Sequence, residues 1–235
     1  MINRTGFRKF QDGELTLLKM GEGRYINESY LNFFIECCEK CSVSPDKVNP
    51  YKLIKKYIIY QILSSISSIK TGYLCTAEFG VWKGLTSMMI TSLLKECLSK
   101  HYIFDSFEGL SEATQEDKIG GRGTITKGMM SPDYHHIQKL FPNSILQKCW
   151  IPAQLKRVDV FFDFVHIDLD LYDPILGALE YIIDKANPGC IIIIDDYNTR
   201  FPGCIRAIRD HIDKYQNLYR FHYDTMQGNY VLVRN

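Results

Sequence analysis

The stretch HIDLDLYDP, residues 166–174, follows directly on the apolar run VDVFFDFV, residues 158–165. It sets Asp168, Asp170 and Asp173 close together at what reads as the exit of a buried strand. CIIIIDDYN, residues 190–198, repeats the pattern, with a run of isoleucines followed by Asp195 and Asp196. Carboxylates crowded at the ends of buried strands lose hydration and repel one another unless something positive or proton-bearing meets them. In extended backbone Asp168 and Asp170 point the same way. Asp195 and Asp196 end what reads as the neighbouring parallel strand, about 4.8 Å away. An oxygen-seeking divalent cation, Mg²⁺ by default, removes the conflict and suits an all-carboxylate set better than zinc does. Asp173 reads differently, as a helix cap with Pro174 in the first turn. His166 reads as a hydrogen-bonded core histidine.

Working outward, short apolar runs alternate with helical patterns. The runs are YLCTAEFG, HYIFD, SILQKCW, VFFDFVHID and CIIIIDD; the helical patterns fall at 85–98, 131–141, 174–185 and 203–215. Such alternation predicts a parallel sheet with helices on both faces and central strands apolar throughout. The ending YRFHYDTMQGNYVLVRN is two strand-like runs joined by a glycine-containing turn, which predicts an antiparallel hairpin. A mostly parallel seven-stranded sheet closed by that hairpin is the outline of the class I methyltransferases, a Rossmann-like α/β fold. Ahead of it, the first ~45 residues read as a polar lead and a helix from about Asn27. A second helix opens at Asn49-Pro50 and runs to about Lys70. The longest irregular stretch, EATQEDKIGGRGTITKGMMSPD at 112–133, reads as a lid.

Composition narrows the function classes. The 235 residues carry a formal net charge of +1, which gives no electrostatic footprint for nucleic acid. The N-terminus lacks the apolar stretch of a secretory signal, and no segment is long and apolar enough to span a bilayer. A soluble, cytoplasmic protein is the expectation. Eight cysteines in a chain of this length do not form a disulfide scaffold. Cys37, Cys38 and Cys41 recur at helical spacing with Tyr30, Phe33 and Phe34, as a core face does.

Two further strand ends carry acidic residues. EFGVWKGLTS, residues 78–87, leaves the first strand and enters a helix. Gly80 and Gly84 there permit a tight turn and close backbone approach, although the spacing matches neither the dinucleotide fingerprint nor a phosphate loop. Glu78 at this exit can accept a hydrogen bond from a ligand's ammonium group or ribose. Asp105, in YIFDSFEGL, stands where such folds place the carboxylate that holds ribose hydroxyls. A turn cap made by Asp105 or Ser106 is its structural alternative. Four of the five strand-like runs thus end in acidic residues at the edge where open α/β sheets bind ligands.

Together EFGVWKG, DSFEGL, HIDLDLYDP with ALEYI, PGCIIIIDDY and FPGCIRAIRD resemble the macrocin O-methyltransferase (TylF-like) family, in matching order over residues 78–210. The resemblance implies an enzyme dependent on S-adenosylmethionine and Mg²⁺ that methylates a sugar hydroxyl of a small-molecule acceptor. It implies Asp168, Asp195 and Asp196 as metal ligands and Asp170 as general base. Glu78, Gly80, Gly84, Asp105 and Ser106 would line the cofactor, with Trp150 on its adenine side. Residues 1–48 would form an N-terminal helical segment shaping the acceptor site, and 49–235 the methyltransferase domain. Neither a nucleic-acid nor a membrane partner is expected, and the oligomeric state, a homodimer included, stays open. Two rival readings remain: a catechol-type enzyme with the same metal logic, and a non-catalytic interaction protein on a cofactor fold. A nicotinamide oxidoreductase is disfavoured by the glycine spacing and the closing hairpin.

Overall fold

Period-two alternation decides which side chains meet across the main sheet. Ala77 and Phe79, Tyr102 and Phe104, Val165 and Ile167, and Ile192 and Ile194 all belong to one core cluster. The residues between them therefore point to the other face. The computed structural model of this chain describes all residues except 1–7, 13–14, 21–23, 46–49, 70–71, 119–124, 199 and 226–227. Two units make up the chain, one of residues 1–70 and 83–96, the other of 71–82 and 97–235.

In the first unit, β1 (Arg8–Asp12), β2 (Leu15–Met20) and β3 (Arg24–Asn27) form an antiparallel three-stranded sheet. This corrects the polar lead expected there; alternation too short and too charged to stand out becomes a strand once a neighbour satisfies its backbone. Helix α1 (Glu28–Lys40) starts at an Asn27 cap whose side chain accepts from the Tyr30 amide. Cys37, Cys38 and Cys41 are buried thiols outside any disulfide, and their burial is what the helical spacing predicts. Helix α2 (Pro50–Ile69) takes a hydrogen bond from Tyr30 Oη to the Leu53 carbonyl, 2.6 Å, and packs Tyr57 and Tyr60 at a tilt against the same ring. Asn49, the expected cap of α2, lies outside the described residues. Helix α3 (Leu85–Leu93) is shorter than the 85–98 pattern, because Leu98 already belongs to a strand.

The second unit holds the seven-stranded sheet. Its strands are β4 (Leu74–Phe79), β5 (Leu98–Asp105), β6 (Ile145–Lys148), β7 (Phe162–Ile167), β8 (Ala186–Ile194), β9 (Tyr219–Asp224) and β10 (Tyr230–Arg234). They run in the order β6-β5-β4-β7-β8-β10-β9. All pairings are parallel except those of β10, which lies antiparallel to β8 and to β9. The order reverses between β4 and β7, so the crevice above their C-terminal ends is the topological switch point where such sheets bind ligands. Among its described residues the α-helices are α4 (Gln115–Lys118), α5 (Tyr134–Leu140), α6 (Tyr172–Ile183) and α7 (Pro202–Tyr215). Ile175, Ala178, Leu179 and Ile182 of α6 and Cys204, Ala207 and Ile208 of α7 complete the core, where Phe79 and Phe104 stack at 4.5 Å. Each such fully buried large side chain contributes roughly 1.5–3 kcal/mol. That reserve is what lets the sheet edge above it carry strained, like-charged residues. Among the described residues no helix is long and apolar enough to cross a membrane.

Candidate active site

Strands β7 and β8 run in register, with Ile167 beside Ile194 as their last pair. The Asp168 amide donates to the Phe79 carbonyl and the Asp195 amide to the Ile167 carbonyl, both at 2.8 Å. The backbone then departs from extended geometry. Asp170 and Asp196 both take left-handed conformations, φ 60° and 59°. This corrects the expectation that Asp168 and Asp170 share a direction by strand alternation, since a left-handed turn brings Asp170 round instead. Left-handed non-glycine residues cost of order 1–3 kcal/mol each and persist where the surrounding core over-determines them.

The result is two overlapping groups of side chains. Asp168, Asp170 and Asp196 bring carboxylate oxygens within 4.8 Å of one another, and Asp168, Asp195 and His166 do the same with oxygens and a ring nitrogen. Burial first, and then the charges of Asp168 and Asp196, push the Asp170 carboxyl well above the usual range. The Asp196 side chain faces it closely enough to add to that rise. Asp195 Oδ1 accepts the Asp196 amide at 2.8 Å, and the buried Cys204 thiol donates to the Asp195 carbonyl at 3.1 Å. Burial, reinforced by these aspartates, holds that thiol well above its ordinary pKa, so it stays protonated. Carboxylates crowded in this way repel one another when ionised, and an oxygen-seeking divalent cation relieves that repulsion.

Gly80 has φ +87°, and a Cβ there would collide with the Asp168 carbonyl oxygen. The glycine thus lets the turn after β4 lie flat on the start of the aspartate loop. Gly84 opens α3 with φ 81° and no side-chain cap. Glu78 is 1% exposed, within β4, and its Oε1 stands 3.2 Å from His166 Nδ1. Asp105 joins two loops: Oδ2 accepts the Val81 amide at 2.8 Å and Oδ1 the Phe107 amide at 2.7 Å. Burial raises its pKa, while these two amides pull it back. Ser106 Oγ donates to the Gly109 carbonyl and accepts the Glu108 amide, closing the turn after β5. Trp150 is half-buried and lines a pocket of ≈ 170 Å³ with Ser111, Glu112 and Lys127. Glu112 and Lys127 belong to the 112–133 stretch, near whose end Ser131 Oγ donates to the Phe107 carbonyl at 3.1 Å.

Two features escaped sequence reasoning. Asp173 is not the cap of α6: Leu171 is, with no side-chain capping bond, and Asp173 sits in the first turn. The capping carboxylate comes from Asp117, 55 positions away, whose Oδ1 accepts the Tyr172 amide at 2.8 Å. Its Oδ2 accepts both the amide and the hydroxyl of Thr114 at 2.8 Å. Gly203 of the FPGC motif makes room for it, since a Cβ there would strike Asp117 Oδ1. Asp117 thereby ties the Thr114 turn to the segment that follows Asp170. Asp117→Ala leaves two backbone donors orphaned, so a loss of about 2 kcal/mol and a melting temperature lower by about 4–8 °C are expected in scanning calorimetry. Gly203→Ala should give a similar fall by displacing the same carboxylate. The double variant should then be no worse than either single one; additive losses would refute the contact as the common cause.

The second feature is His166, which the sequence suggests is a hydrogen-bonded core residue. It is fully buried, but neither ring nitrogen makes a hydrogen bond. The parity of its strand was the available signal, because His166, Asp168 and Glu78 all alternate onto one face.

The macrocin-O-methyltransferase (TylF) family profile matches residues 71–220 of this chain. The chain belongs to that family. It is 26% identical over 160 residues to the 8-demethyl-8-(2,3-dimethoxy-alpha-L-rhamnosyl)-tetracenomycin-C 4'-O-methyltransferase of Streptomyces olivaceus. That match covers 60% of this chain and 58% of the Streptomyces enzyme, so it spans less than two thirds of that relative. Among solved structures, the O-methyltransferase NovP superposes with a TM-score of 0.65 at 18% identity, over 85% of this chain and 88% of NovP. The calicheamicin methyltransferase CalS11 superposes with a TM-score of 0.64 at 16% identity, over 92% of this chain and 98% of CalS11. Both are methyltransferases of the Rossmann-like fold expected from the sequence.

Proposed function

We propose that this TylF-family chain is an S-adenosylmethionine- and Mg²⁺-dependent O-methyltransferase acting on a hydroxyl of a sugar or glycosylated small molecule. The convergence of Asp168, Asp170 and Asp196 at the sheet's switch point is the observation that carries the reading. The sugar acceptor rests on family membership and on the rhamnosyl substrate named for the Streptomyces relative. When bound, S-adenosylmethionine supplies an electrophilic methyl group, and the cation supplies a positive charge that binds and acidifies hydroxyls.

The chain's own residues do the rest. Asp168, Asp195 and Asp196 would hold the cation. Asp170, lifted toward this group by its left-handed turn, would take the proton from the acceptor hydroxyl as its oxygen attacks. The residues expected to hold the cofactor are Glu78, Gly80 and Gly84 along the turn after β4, Asp105 and Ser106 after β5, and Trp150 after β6. Asp105 already fixes the relation between the first two of these turns through Val81. No protein nucleophile is required.

The test is a methyl-transfer assay with labelled S-adenosylmethionine against a panel of glycosides and catechols. Transfer to a sugar hydroxyl, lost in excess chelator and restored by Mg²⁺, is the expected result. Transfer to catechols alone would move the acceptor class, and full activity in chelator would overturn the metal's part in the reading. A chain that binds cofactor in calorimetry yet methylates nothing on the panel would point to the interaction-protein alternative.

A further inference from the structure

We propose that His166 is a ligand of the bound cation, giving the aspartate site a nitrogen donor and with it a preference for Mn²⁺-like transition ions over Mg²⁺. The inference rests on the metal-dependent reading above and deepens it.

Three observations converge. First, alternation along β7 sends His166 and Asp168 to the same face. The register that pairs His166 with Ile193 of β8 then sends Asp195 to that face too. The side chains accordingly meet, with a His166 ring nitrogen and oxygens of Asp168 and Asp195 all within 4.8 Å of one another. Second, His166 is fully buried and both its nitrogens lack a hydrogen bond. A buried imidazole without a hydrogen bond loses its hydration uncompensated, and native structures rarely tolerate that unless a ligand completes the site. His101, the other buried histidine of the parallel strands, shows the contrast, with Nδ1 2.8 Å from Thr76 Oγ1. Third, Glu78 Oε1 stands 3.2 Å from His166 Nδ1, close but misaligned for a hydrogen bond. A carboxylate on the far nitrogen is the usual support of a metal-bound imidazole, fixing its tautomer and raising its basicity. With Nδ1 turned to Glu78, Nε2 is the nitrogen left for the cation.

The chemical consequence is selectivity. Carboxylates alone favour hard ions such as Mg²⁺, whereas an added imidazole favours first-row transition ions, which bind nitrogen more strongly. Glu78 then acts on the metal as a positioning residue through His166.

Mn²⁺ is the probe, because its unpaired electrons report the nitrogen directly. The full-length protein, stripped with chelator and loaded with one equivalent of Mn²⁺, is read by pulsed electron paramagnetic resonance. Wild type should show the modulation of a directly bound ¹⁴N, and protein labelled with [¹⁵N]histidine should show it shifted. His166→Gln should lose the modulation while still binding Mn²⁺, with affinity reduced about tenfold or more and Mg²⁺ affinity changed much less. Asp168→Ala, which keeps His166, should lose both ion and modulation, so a poorly folding His166 variant does not block the test. Bound Mn²⁺ without nitrogen modulation in wild type overturns His166 as ligand and leaves the carboxylate site standing. Modulation that survives in both variants belongs to surface histidines and overturns it equally. No Mn²⁺ or Mg²⁺ binding at all overturns the metal-dependent reading itself.

Discussion

Asp168→Ala is expected to abolish methyl transfer, with a rate at least about 10³-fold lower, and to weaken divalent-ion binding in calorimetry. Asp168 is the residue shared by both groups of converging side chains, so its loss removes a donor from each. Cation catalysis of this kind supplies several kcal/mol, and each 1.4 kcal/mol is tenfold in rate. The fold should survive. The main-chain ties of Asp168 persist in the variant: its amide bonds Phe79, and its carbonyl lies against Gly80. Removal of a half-buried carboxylate from a crowded acidic group also relieves repulsion in the metal-free protein. A variant that melts as wild type does but turns over nothing, even in excess Mg²⁺ or Mn²⁺, is the expected phenotype. Recovery of wild-type rates at high metal would reduce Asp168 to a contributor to affinity, and undiminished activity at ordinary metal would remove it from the site.

Asp170→Asn should separate base from ligand. The amide keeps the size and one oxygen but has no proton affinity, so cofactor and metal should still bind while turnover falls by about 10²–10⁴. A general base works only when ionised, so the wild-type rate should climb with pH through an acid-side limb that the variant lacks. The metal-free protein offers a second readout through stability. The folded Asp170 carboxyl titrates well above its unfolded value because of burial and the charges of Asp168 and Asp196. In that window the folded state holds more protons than the unfolded one, so stability falls as pH rises from about 4 through the folded pKa. Below about pH 4 the penalty is absent; above the folded pKa it is fully present. Chelated wild type should therefore melt lower at pH 8 than at pH 5 by more than Asp170→Asn does. If the variant instead loses metal as badly as Asp168→Ala, Asp170 is a ligand and the proton goes elsewhere.

The two variants differ in kind because their side chains reach the site by different routes. Asp168 arrives as the next residue of an extended strand, which alternation makes legible. Asp170 arrives through a left-handed turn that no spacing in HIDLDLYDP announces. The acidic strand exits were readable for the same reason as the strands themselves: runs such as CIIIIDD can satisfy their bulk only in a doubly covered sheet, and charge stops where burial stops. The parallel pairing of β7 with β8 and the closing hairpin follow from that pattern together with the helices between the runs, whereas the full strand order is read only from the structure. The N-terminal strands did not, since short, charged alternation becomes a strand only when a neighbour takes up its backbone hydrogen bonds.

By itself, then, the sequence determined the α/β class, the strand edge that gathers Glu78, Asp105, Asp168 and Asp195, and the family resemblance. These depend on periodicity and on residues close in the chain. Only the tertiary structure decided what crosses between distant segments. It capped α6 with Asp117 rather than the adjacent Asp173, made Gly80 a seat for the Asp168 carbonyl, and left His166 buried beside Glu78 without a hydrogen bond. Each is an interaction between groups brought together by packing, and packing depends on shape in three dimensions, which local spacing does not encode.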